Sequence, residues 1–187
     1  STAGARLSGR VGDWRIGAMT VQMDNDEELG DKNLSVLRLQ RDVLESSNLG
    51  IIFTNGDPGN RGQNTLFGAD FNYRNNSAFG GTGRITGDLF AQGTYTDTSG
   101  VENDNGDTTA IGGRFGVNRD PWDFSVFAAR SGEDYNPALG FVGRRGRYEY
   151  NVGGGYTWRC SEEESVLRNV RLRTNASLFT LIDSTVD

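Results

Sequence analysis

The chain has 187 residues, is 35% hydrophobic and carries a net charge of −6, with a pI near 4.8 and a mean hydropathy of −0.56. The acidic balance argues against a nucleic-acid partner, the lack of histidine removes the commonest general base and metal ligand, and a single cysteine, Cys160, excludes an internal disulfide. Glycine is abundant at 27 residues, which disfavours helices, and no apolar run approaches the ~18 residues of a membrane helix.

Side chains that alternate between apolar and polar have the period of a strand. On that pattern the chain is predicted to form ten strands, at 3–12, 14–23, 33–43, 48–55, 64–75, 83–97, 108–119, 122–132, 146–159 and 169–182. In the second, the apolar phase slips after Ala18, which predicts a bulge. The third also fits a short helix over 35–44; strand is the reading taken. In the fifth, Thr65, Phe67, Ala69, Phe71 and Tyr73 alternate with Asn64, Leu66, Gly68, Asp70, Asn72 and Arg74. The sixth (from Ile85 to Tyr95), the eighth (from Trp122) and the tenth (from Val170) repeat the pattern, with Leu66, Phe90 and Phe127 as exceptions. The ninth is the fullest case: Tyr148, Tyr150, Val152, Gly154, Tyr156 and Trp158 form one face. Most runs suit the ~9–11 residues of a tilted membrane strand better than the mode of about 5–6 in globular sheets.

The connections alternate in length. Those at 12–13, 44–47, 119–121 and 161–165 are short, the one at 75–82 is intermediate, and those at 24–32, 55–63, 98–107 and 133–145 are long. Outer-membrane barrels have this asymmetry of short inner turns and longer outer loops. Trp14, Tyr73, Trp122 and Trp158 fall at the short-turn end, and Tyr95, Tyr148 and Tyr150 at the opposite end, as expected of two interfacial girdles. The predicted fold is therefore all-β: an antiparallel transmembrane β-barrel of which about ten strands are seen, occupying 1–187 as part of a larger barrel.

The residues expected to face the lumen include Asp70, Arg74, Arg84, Asp88, Arg114, Arg147, Glu149, Arg159, Arg171 and Arg173. Lys32 is the only lysine against 18 arginines, and a guanidinium fork suits either of two roles. One is a ladder that guides an anionic or sugar-like solute; the other is structural pairing with carboxylates on neighbouring strands. In the loops, 102–107 resembles half of a calcium loop, with Asp104 and Asp107 as weak ligand candidates. It lacks the distal glutamate, and Asn105-Gly106 marks a hairpin tip instead. The acidic stretch at 24–28 reads as a solvated loop. No nucleophile–base pair, serine elbow or phosphate-binding glycine loop is present, so no catalytic residue, cofactor or firm metal site is assigned. Cys160 is expected as a buried or interfacial thiol at a strand end.

Several segments resemble a bacterial family of unknown function whose members place a family-9 carbohydrate-binding-module-like domain ahead of a long outer-membrane barrel. The segments are 4–14, Ser35-Val-Leu-Arg38 with Arg41-Asp-Val-Leu44, Ile52-Phe-Thr-Asn55, Gly68-Ala-Asp-Phe-Asn72, and above all the stretch from Gly132 to Val142 followed by Arg144. Family members commonly have proline where this chain has Gly143. The resemblance spans nearly the whole chain and implies an internal piece of such a barrel; both ends look like cuts through a longer polypeptide. It brings no catalytic residues. Glu133, Asp134, Tyr135 and Asn136 then form an external loop that either binds a saccharide or caps itself onto the barrel wall. The expected function is a channel or surface-exposed scaffold in a bacterial outer membrane, handling carbohydrate, with lipid, saccharide and other envelope proteins as partners. The alternatives are a plugged barrel anchoring an envelope complex, an outer-membrane enzyme with a loop-borne site, and a soluble β-rich adhesin.

Overall fold

The computed structural model describes residues 2–23, 32–59, 62–97, 106–140, 144–159 and 168–182. Ten strands follow in chain order: β1 (Thr2–Val11), β2 (Trp14–Met23), β3 (Lys32–Val43), β4 (Ser47–Asn55), β5 (Gln63–Ser77), β6 (Gly83–Asp97), β7 (Thr109–Arg119), β8 (Trp122–Ser131), β9 (Arg147–Arg159) and β10 (Asn169–Leu181). They form one sheet in sequential order, each antiparallel to the next. The sheet is not closed: β1 and β10 are its two edges. Segment 35–44, open to a helical reading, lies largely within β3. The only helical element among the described residues is a single turn, α1 (Ala78–Gly81). There Phe79 and Gly80 have φ of 58° and 72°, so it is a left-handed turn more than a helix.

The predicted bulge in β2 is absent. Its pairing runs unbroken from Met23 opposite Thr2 to Trp14 opposite Val11, and equally along β3. The apolar phase slips because Met19 and Val21 lie on the polar side of the sheet, opposite Val36 and Leu34. The unbroken register has a larger consequence. Directly opposed residues share a face, so pairings such as Phe53–Phe67 and Val126–Val152 join the apolar sides of successive strands into one continuous surface.

That apolar surface is the exposed one. Leu7, Phe67, Leu89, Ile111, Trp122 and Leu172 are all more than half exposed. The charged residues that strands place on it, Arg41, Asp97, Arg119 and Arg130, all lie at or near strand ends. The small core lies on the polar side, where Leu66, Ala110 and Tyr135 are buried and Ile52 and Phe90 pack against them.

Candidate functional site on the polar face

The polar side of the sheet is covered at the long-connection end by described residues between β8 and β9, chiefly 135–140. Residues 133–136 were expected in an external loop that either binds a saccharide or caps itself onto the wall. Glu133 and Asp134 are exposed, and Tyr135 and Asn136 turn back onto the sheet. Tyr135 is 4% exposed, and its hydroxyl donates to the Gln92 side chain on β6. Burial pushes the phenol above its ordinary pKa. The Asn136 amide donates to Thr94 Oγ1 at 3.0 Å, and Arg145 holds Asn136 Oδ1 at 2.6 Å.

Asn64 is the latch. It is 0% exposed. Its Nδ2 donates to the Asn136 carbonyl and to Thr96 Oγ1, both at 2.8 Å, and its Oδ1 accepts the Ala138 amide at 3.3 Å. A buried amide with every group engaged fixes one position for the strap, because any other leaves desolvated polar atoms unpaired. Between strap and wall lies a cavity of about 270 Å³, bordered by Phe90, Phe127, Tyr135, Arg144, Arg147 and Glu149. Ser131, on the same border, has a buried Oγ with no partner among the described residues.

The base of the strap is tied by Asp107. Its carboxylate accepts from Thr109 Oγ1 at 2.8 Å and from Arg130, and its carbonyl accepts the Asp134 amide at 3.1 Å. Desolvation pushes the Asp107 carboxyl upward, but the bonds from Thr109 and Arg130 outweigh it and hold the pKa below its ordinary value. A depressed folded-state pKa contributes stability that is present above the unfolded value and lost as pH falls through the folded one. Unfolding titrations between pH 7 and 3 are therefore expected to show an acid-sensitive component that Asp107→Asn removes. Asp104, the other weak calcium candidate, lies outside the described residues, as does Cys160.

Elsewhere the polar face carries ion pairs, and register places all ten predicted lumen residues on it. Asp70 takes Arg38 bidentately, at 2.8 Å for Nη2–Oδ1. Arg171 pairs with Asp123 at 2.6 Å, Arg147 with Glu149 at 3.5 Å, and Arg159 with Asp120. Arg114 lies over the Phe127 ring at 5.3 Å. Among the described residues, Arg74, Arg84, Asp88 and Arg173 have no ion-pair partner. Sequence reasoning missed Arg38, Asp42 and Asp123, although each stands at a polar step of an alternating run. It also missed the roles of Asn64, Gln92 and Thr94, which nothing local distinguishes from other wall residues.

Two of these pairs use one device. Arg38 on β3 reaches Asp70 on β5 over Gly50 of β4, and Asp123 on β8 reaches Arg171 on β10 over Gly155 of β9. A Cβ at Gly50 would lie 2.8 Å from Arg38 Cζ and 2.9 Å from Asp70 Oδ2. Gly50→Ala is expected to displace the Arg38–Asp70 pair, at a cost of about 1 kcal/mol. At Gly93, where a Cβ meets nothing within 4 Å, alanine is expected to stay within about 0.5 kcal/mol. Denaturant midpoints of the two variants provide the comparison.

The seven predicted girdle aromatics all lie on the apolar face. Trp122 meets Tyr156 edge-on at 4.5 Å, and Tyr148 stacks with Tyr150 at 6.3 Å. Arg41 sits over Trp14 at 5.4 Å and Arg130 over Tyr148 at 5.9 Å. The class these features define is an all-β protein built on one open, amphipathic antiparallel sheet with a strap docked on its polar side. Comparison with known families, curated proteins and solved structures finds no match to this chain.

Proposed function

We propose that the sheet is part of the wall of a transmembrane β-barrel in a bacterial outer membrane, with its apolar face in lipid and its polar face lining the lumen. The observation that carries this reading is the apolar face itself. It continues across all ten strands, is exposed, and bears charge only near its two margins. Soluble monomers rarely expose contiguous apolar patches beyond a few hundred Å², and a sheet in water needs a second layer over such a face. Lipid supplies that cover, and the aromatic and arginine margins match what two membrane interfaces require. From Tyr148 to Trp158 the strand rises roughly 33 Å at about 3.3 Å per residue. Tilted by about 40°, that is close to the ~25 Å apolar band of outer-membrane barrels.

Two uses of such a wall follow. One is a channel, or surface-exposed scaffold, for a polar solute such as carbohydrate. The other is a plugged barrel that anchors an envelope complex, and the Asn64-latched strap favours a narrowed or plugged lumen. Flotation with liposomes and depth-dependent quenching of Trp14, Trp122 and Trp158 by brominated lipids test the membrane placement. Quenching strongest near the headgroups is expected. A purified protein that stays in buffer without detergent and does not float would sink it. Planar-bilayer conductance of the full-length protein then separates channel from plug.

A further inference from the structure

The net charge of −6 conceals a segregation. On the polar face, Asp42, Asp70, Asp123 and Glu149 are each neutralised by at least one arginine. Among the described strand residues, the remaining acid on that face, Asp88 on β6, lies directly opposite Arg114 on β7. Arg74, Arg84 and Arg173 have no carboxylate within ion-pair distance among the described residues. The chain's surplus acids lie largely between strands instead. Asp26, Glu27 and Glu28 stand between β2 and β3, and Glu162, Glu163 and Glu164 between β9 and β10.

Arg74 on β5 faces Thr86, and Arg84 on the neighbouring β6 faces Asn118, so no direct cross-strand partner of either is acidic. Arg173 faces Gly155. Like charges left uncompensated on adjoining strands are unfavourable, and a guanidinium fork matches the paired oxygens of a carboxylate or phosphate.

We infer that the polar face is an oxyanion-selecting surface: it favours solutes bearing carboxylate or phosphate groups, and its selectivity resides in Arg74, Arg84 and Arg173. Permeation rests on the barrel reading; binding does not. In planar bilayers under a KCl gradient, the full-length protein is expected to give a reversal potential of the sign set by chloride. The triple variant Arg74→Gln/Arg84→Gln/Arg173→Gln is expected to lower the chloride preference by about twofold to threefold per guanidinium removed. A current that prefers potassium, or one the triple variant leaves unmoved, overturns the assignment while the barrel stands. If the lumen carries no current, titration of the detergent-solubilised protein with tripolyphosphate decides. Binding that the triple variant weakens by at least about tenfold supports the inference, and no binding, or unchanged binding, ends it. Failure of the barrel reading shows separately, as a protein that needs no detergent. An unchanged circular dichroism spectrum and heat-modifiable migration establish that the variant has folded.

Discussion

Replacing Leu89 with arginine is expected to destabilise the lipid-embedded protein by about 2–4 kcal/mol, the range for a guanidinium at the midplane of a membrane barrel. Leu89 stands near the middle of β6, is 61% exposed, and lies between Phe71 and Gly113 on the apolar face. If that face met water, an exposed leucine would tolerate arginine within about 0.5 kcal/mol. The same substitution at Val170, opposite Trp158 at the aromatic margin, is expected to cost about 0–1 kcal/mol, as near an interface. The signature is thus a depth-dependent difference between two exposed apolar sites, read from urea midpoints of tryptophan fluorescence in vesicles. Equal, small losses at both sites would remove lipid from the account. A large loss at Leu89 in a protein soluble without detergent would mean that another protein layer covers the face. The positions where arginine already occurs agree with the expected gradient. Arg41 and Arg130 sit at strand ends, each against an aromatic ring.

The ten strands and their antiparallel sheet were legible because a two-residue period is a local signal. Strand limits read from alternation agree with the observed ones to within two residues, and a consistent period across ten strands leaves one arrangement of faces. What local alternation cannot carry is identity among polar neighbours. Asn64 and Asn72 occupy the same face of β5 and read alike in the sequence, yet Asn64 is fully buried and Asn72 is not. The difference comes from a carbonyl 72 positions away. The Arg38–Asp70 pair was hidden for a related reason. It skips a strand, and only the glycine between makes room for it. The false bulge in β2 arose because two apolar residues on the polar face look, in one dimension, like a change of phase.

The strap should therefore come away before the sheet does. Asn64→Leu removes the partners of the Asn136 carbonyl and the Ala138 amide together. Leaving buried backbone groups unpaired costs about 1–3 kcal/mol each. Tyr135→Ala deletes the strap's apolar anchor and strands Gln92, at about 3–5 kcal/mol on the scale of aromatic truncations. Local opening needs less free energy than unfolding the whole sheet, so both variants are expected to raise protease cleavage within 132–146 before they shift the global midpoint. Tyr135→Phe keeps the packing and loses one hydrogen bond, for about 1–2 kcal/mol, and should fall between the wild type and Tyr135→Ala. Alkali acts on the same anchor. The raised phenol pKa means that the strap's stability is full below the unfolded tyrosine value, near 10, and is lost as pH rises through the folded one. If the strap narrows a lumen, Asn64→Leu and Tyr135→Ala should raise single-channel conductance together. Cleavage that rises while conductance stays fixed would confine the strap to covering the wall.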